Sequence, residues 1–274
     1  MLNDQQRQWI YRHAYLPEHL PDYVGAVSGA EPYLSHNYLY FLTRKHLIFN
    51  GYPLVPDSTP AAQIYDFVCQ RFQPTTVALI ASPIWLTAEQ YEQQTVDNYY
   101  RLDLPLPSID ASVAYMLRRA QRDLQVSRGR FGKEHKKIIK AFLAQHRFNR
   151  RQKYLFKQIP HYLKAADSAV LLEARKQNKL VAFNIVDLGA AEYAFYLFSF
   201  RSGKIKIPGA SDLLFQAMVN QAQAEGKKAV NLGLGVNAGI RYFKEKWGGL
   251  PFLKYCSALV DKREIDIGRL AKKL

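Results

Sequence analysis

The chain has 274 residues, 48% of them hydrophobic, so it can bury a large core in one large or two small domains, and disorder is excluded. Its net charge of +15 is uneven: residues 1–117 carry 6 basic and 11 acidic side chains, 118–153 carry 13 and 2, and 154–274 carry 19 and 10. No run of 18 apolar residues occurs and the opening MLNDQQRQWIYRH is polar, which encodes neither a membrane span nor a secretory signal and leads us to expect a cytoplasmic protein.

The N-terminal part reads less clearly than the rest. A hairpin is expected over 38–49, with its turn near Thr43, Arg44 and Lys45, followed by a helix over 61–72 and a strand over 75–81. A further strand over 98–104 runs into Pro105 and Pro107, and a helix starts at Asp110. Next comes the basic belt of 118–153. Such a belt favours an acidic partner through long-range attraction: a nucleotide phosphate, tRNA, an acidic carrier protein or an anionic lipid surface. Its plain alternative is a solvated face that keeps the chain soluble.

From residue 130 onward the pattern is more legible. Two amphipathic helices are expected over 133–146 and 153–165. Apolar, β-branched runs over 169–175 and 180–188 form a hairpin around KQNK, and 193–200 is a strand apolar on both faces. Pro208 and Gly209 break the chain, Ser211 or Asp212 caps a helix ending at Gly226, and a strand follows over 229–234. A short helix over 238–247 is ended by Gly248, Gly249 and Pro251, and the last strand covers 253–260. The stretch from Val230 to Tyr255 carries most information. A strand stopping at Gly233 and Gly235, with a helix opening at Asn237, leaves bare amides and a positive dipole end where a negative charge can be held.

The order ααβββαβαβ over roughly 130–260, with Asn237, Lys244 and Gly248 at intervals of seven and four, resembles the GNAT acyltransferase superfamily. That family usually has Tyr at the middle position. Lys there, within Phe243-Lys244-Glu245-Lys246-Trp247-Gly248, looks like the Fem-type subgroup, which transfers aminoacyl groups to cell-wall precursors, and like its acyltransferase relatives. The resemblance implies an α/β (α+β) GNAT fold: a central mixed twisted sheet flanked by helices, in two GNAT-like halves. These halves are a degenerate one over 1–117 and a catalytic one over 118–274. The run YRLDLPLPS and the helix bearing Arg118 and Arg119 are similar to the Fem junction between such halves. The long helical hairpin that Fem enzymes carry is missing.

The resemblance also implies site residues. Two strands, 193–200 and 229–234, would splay apart to admit a pantetheine arm, with Gly233, Gly235 and Asn237 beside it. Lys206, Gly209, Ala210 and Ser211 stand where the family binds the pyrophosphate of acyl-CoA, while Asp212 has the ordinary role of a helix cap. Lys244 would point at the acyl carbonyl to stabilise the oxyanion or protonate the leaving group, with Tyr242 as a secondary acid. A surface lysine is its ordinary alternative, but solvent exposure in the cleft is expected either way. Phe243 and Trp247 read as core anchors. For a general base, Glu173 and Asp187 qualify by placement, though exposed hairpin carboxylates are the commoner case. His135 and His146 in the belt read as solvated. Arg118, Arg119 and Arg122 are the residues expected to meet an acidic carrier or tRNA. Cys69 and Cys256 show no CxxC or Cys/His spacing, so no metal site is expected and both read as reduced core thiols. The activity implied is amide formation from a thioester donor, acyl-CoA or acyl carrier protein, with no tightly bound cofactor and a small-molecule, peptide or lipid-linked amine acceptor. The alternatives are a Fem-like aminoacyl-tRNA-dependent transferase and a non-catalytic module binding RNA or an acidic protein.

Overall fold

The computed structural model describes residues 1–106 and 108–262; Pro107, expected to end a strand, and 263–274, expected in the second half, lie outside the described residues. The elements follow local chemistry. Asn3 opens α1 (Asp4–His13) with a reciprocal cap, its side chain accepting from the Gln6 N–H while Gln6 reaches back to the Asn3 N–H. α2 (Pro21–Ser28) starts on proline and stops at Gly29, which is left-handed. Three strands follow, β1 (Glu31–Ser35), β2 (Tyr38–Leu42) and β3 (His46–Asn50), then α3 (Ala61–Phe72) and β4 (Thr76–Ile80). β5 (Gln93–Asp103) leads to α4 (Ala111–Gln121), capped by Asp110, whose carboxylate accepts from the Ser112 N–H at 2.7 Å.

The second stretch comprises β6 (Gln125–Arg128), α5 (Lys133–Gln145), α6 (Arg150–Lys157), α7 (Ile159–Ala165), β7 (Ala169–Lys176), β8 (Lys179–Asp187) and β9 (Tyr193–Arg201). α8 (Ala210–Ala224), β10 (Ala229–Leu234), α9 (Ala238–Glu245) and β11 (Leu250–Asp261) complete the chain. One helix expected over 153–165 is two, α6 and α7, because Pro160 has no N–H to continue the ladder and serves instead in the first turn of α7.

The chain separates into two compact units, and they interleave in sequence rather than following 1–117 and 118–274. Among the described residues the smaller holds 31–96 and 255–262, the larger 2–30 and 97–254. The reason lies in packing. α4 belongs to the larger unit because Val113, Leu117 and Ala120 pack in one core with Leu213 and Leu214 of α8, while the end of β11 pairs antiparallel with β4 in the smaller unit.

In the smaller unit β1, β2 and β3 are antiparallel neighbours, β3 and β4 run parallel, and α3 covers them with Ile64, Tyr65 and Val68. The larger unit carries the order β5-β10-β9-β8-β7-β6, antiparallel except for the β9 and β10 pair. β8 is central: Ala182 and Val186 join the core under α4 and α8, Phe183 and Ile185 the core under α5 to α7, which explains its nearly unbroken apolar run. Cys69 and Cys256 are both buried free thiols. No helix among the described residues is long and apolar enough to cross a membrane.

Candidate active site

The site is built where β10 turns into α9, within the larger unit. β9 and β10 pair over three residues, from Ala229↔Tyr193 to Asn231↔Phe195, although β9 continues to Arg201 and β10 to Leu234, so the two strands part beyond Asn231, as the family resemblance implies. A bulge in the pairing of β10 with β5 accompanies the departure. Gly233 sits in it at φ +72°, a conformation glycine adopts without a Cβ penalty, and its N–H donates to Asn231 Oδ1 at 2.7 Å. Gly235 leaves no room for a side chain, since a Cβ there would come within 2.7 Å of Asp97 Oδ1. Val236 has φ +55°, a strained choice for a β-branched residue, and its N–H donates to Asp97 Oδ2 at 2.7 Å. Asn237 caps α9 as predicted, accepting from the Ile240 N–H at 3.0 Å.

Lys244 departs from expectation in one respect. It is not solvent-facing but 3% exposed, the most buried lysine among the described residues. Its Nζ donates to the Leu234 carbonyl at 2.5 Å and lies 5.4 Å from the centre of the Tyr100 ring. It forms no ion pair among the described residues. Loss of hydration pulls its pKa from the ordinary lysine value down to about 7, while the charge of Asp97 acts the other way. A Cβ placed on Gly233 would be 3.9 Å from the Tyr196 carbonyl and 4.0 Å from Lys244 Nζ. Tyr196 is the first β9 residue past the last pair with β10, so the amine borders the space the parted strands open. α9 is fixed from behind. Trp247 packs against Phe215 with the rings tilted and their centres 4.8 Å apart, Phe243 meets Phe215 edge-on at 5.4 Å, and Gly248 and Gly249 close the helix, a Cβ on Gly249 being 2.6 Å from Leu232.

Other expected residues are placed elsewhere. Tyr242 is 67% exposed, whereas Lys244 two residues on is buried, so the two face different surroundings. Glu173 lies on β7, with β8 and β9 between it and β10, and it is buried rather than exposed. Its carboxylate accepts from Arg175 Nε at 2.5 Å and lies 3.0 Å from His135 Nε2, an arrangement that neutralises a buried charge and leaves no free base. His135 is buried too, its Nδ1 accepting from the Gly132 N–H at 3.0 Å, and burial lowers its pKa; His146 is exposed as expected. Asp187 is likewise buried, accepting from Ser168 Oγ at 3.0 Å, from the Gly189 N–H at 2.8 Å and from the Tyr162 hydroxyl, which burial and the carboxylate hold well above the usual tyrosine range.

The loop before α8 fits a phosphate cradle poorly. Gly209 is its N-cap at φ +80° without a side-chain cap, so neither Ser211 nor Asp212 caps this helix. A Cβ on Gly209 would fall 2.3 Å from the Met116 carbonyl, so this glycine serves close packing on α4, and Ala210 is buried there as well. Asp212 instead ties α8 to α9, accepting from Trp247 Nε1 at 3.0 Å and pairing with Lys246 Nζ at 2.6 Å. Lys206 is exposed and Ser211 half-buried. Arg118, Arg119 and Arg122 are exposed at the end of α4 and form no ion pair among the described residues.

Three contributors escape sequence reasoning: Asp97, Tyr100 and the Leu234 carbonyl. Asp97 and Tyr100 lie on β5, about 140 residues before α9, and only the β5 to β10 pairing brings them together.

No family model matches the chain, and no curated protein matches its sequence. Solved structures do resemble it. The C-terminal DUF2156 domain of a protein described as a lysylphosphatidylglycerol synthetase from Agrobacterium fabrum is 17% identical, with 98% of this chain and 94% of that chain covered at a TM-score of 0.62. FemX is 10% identical, covering 93% and 96%, at 0.64, and a GCN5-related N-acetyltransferase from Kribbella flavida is 11% identical, covering 90% and 95%, at 0.51. The fold is thus of the GNAT type and related to that of Fem proteins.

Proposed function

We propose that this chain is a GNAT-type transferase that joins an acyl group to an amine by direct attack, without a covalent enzyme intermediate. The observation that carries the reading is Lys244: a buried amine with no ion-pair partner among the described residues, held by the Leu234 carbonyl and titrating near neutrality at the edge of the opening between β9 and β10. An acceptor amine would attack the donor carbonyl, forming the C–N bond and a tetrahedral oxyanion. Collapse then breaks the bond to the leaving group. Protonated Lys244 donates a hydrogen bond to the oxyanion and gives its proton to the departing thiolate, and the proton lost by the acceptor nitrogen passes to solvent.

For the donor, the parted strands suit the pantetheine arm of a thioester, and the packed Gly209 loop favours an arm borne on an acidic carrier protein over free acyl-CoA. An aminoacyl-tRNA is the second reading, with the tRNA 3′ oxygen as leaving group. It is favoured by likeness over more than nine-tenths of the chain to FemX and to a domain of a lysylphosphatidylglycerol synthetase. Side-by-side titrations at physiological salt decide between them. Tighter binding of acyl carrier protein than of tRNA is expected, and the reverse order would install the aminoacyl reading. Failure of both donors to transfer would leave the chain a binding module.

A further inference from the structure

A second feature of the larger unit lies well apart from Lys244. A cavity of about 560 Å³ opens between the turn after β6, the start of α5, α7 and β7, with β8 and β9 separating β7 from β10. Its apolar lining includes Phe131, Leu163 and Leu171. Its charged lining is Arg130, Lys133, Lys136 and Lys164, and no acid is among the residues that form it. Lys133 and Lys136, three apart, share a face of α5. None of the four cations has an ion-pair partner among the described residues.

The nearby acids are turned away from the cavity by Arg175. Glu134, next to Lys133 in sequence, accepts from Arg175 Nη1 at 2.9 Å and from the Leu180 N–H at 3.3 Å. Glu173 is held by the Nε of the same arginine, and a Cβ on Gly129, a wall residue of the cavity, would fall 2.0 Å from Glu173 Oε1. Glycine at 129 thus lets the carboxylate tuck in behind the wall. Burial of His135, beside it, lowers its pKa. One guanidinium in this way ties up two carboxylates, and four cations face the cavity uncompensated.

Four cations around an apolar floor suit a multiply charged anion attached to an apolar body. The volume lies in the range of small-molecule sites, and arginine and lysine both form charge-assisted hydrogen bonds to phosphate oxygens, whose multiple charge answers several cations at once. We propose that this cavity binds a small organic phosphate, at a site separate from the opening beside Lys244.

Calorimetric titration of the full chain with phenyl phosphate and with inorganic phosphate, at about 0.15 M salt where diffuse surface attraction is screened, tests this. One phenyl phosphate per chain is expected, bound at least tenfold more tightly than inorganic phosphate. Lys133→Gln with Lys136→Gln should weaken both tenfold or more, with melting temperature unchanged because these side chains are exposed. Phe131→Ala should narrow the gap between the two ligands. The proposal is overturned by an absence of saturable binding, by equal binding in the lysine double variant, or by a 20-residue oligonucleotide that binds more tightly than phenyl phosphate and loses its affinity in the same variant.

Discussion

Lys244 and Glu173 are both buried ionisable groups in the same unit, and they differ in company. Glu173 accepts from Arg175 and faces His135, and its neighbours Gly129 and Glu134 are arranged around that neutralisation. Lys244 has a carbonyl, an aromatic face and only the longer-range charge of Asp97. Burial of a charge therefore does not mark chemistry on its own. Burial without an opposite charge in contact, beside a gap in a sheet, does: an ion-paired group has its charge committed, whereas one held only by a carbonyl can exchange a proton with a ligand.

Breaking each group separates the two roles. Glu173→Ala removes the acceptor of Arg175 Nε and the carboxylate facing His135, while Glu134 still pairs with Arg175, so it should cost about 1 to 3 kcal/mol in chemical denaturation, the scale of a buried polar group left without its partner, without changing transfer per folded molecule. A lower rate in that variant, at unchanged stability, would make Glu173 part of the chemistry after all. Lys244→Met should do the opposite, slowing single-turnover transfer about a hundredfold or more while stability holds or rises, since methionine fills the volume without an amine to desolvate. Unchanged turnover would move Lys244 to the structural side of the comparison.

A smaller effect is expected on the exposed basic surface. Reversing charge at Arg118, Arg119 and Arg122 should slow association with an acidic donor carrier about tenfold at low salt, and the defect should shrink as salt screens the wild type. Equal loss with a small free thioester would mean that these arginines support the fold near α4 instead.

Much of the larger unit was legible because its elements follow two periods interrupted by glycine and proline. The strand read over 229–234 is β10, and the helix read from Asp110 is α4. Asn237, Gly233 and Lys244 were readable because a strand end, a cap and a helix position have fixed spacing. Asp97 and Tyr100 were not, because they reach the site through strand pairing, which leaves no local trace. Helix α1, helix α2 and the edge strand β6 went unread for a related reason: they are short, and tertiary packing rather than a long apolar period holds them. The exposure of Glu173, Asp187 and Lys244 was misjudged together, since charge in a sequence suggests water and only the fold supplies Arg175, Tyr162 or Leu234 as company.

The most direct test of the central claim is a pH titration of the lysine side-chain amines by NMR, comparing wild type with Lys244→Met. One amine titrating near pH 7 and absent from the variant is expected. An unfolded lysine titrates near 10.4, so between these values the unfolded chain holds a proton the folded one lacks. Wild-type stability should therefore rise with pH by roughly 1.4 kcal/mol per unit across that window, and the variant should lose this slope. A Lys244 amine that titrates with the surface lysines, and a stability slope identical in both proteins, would contradict the account.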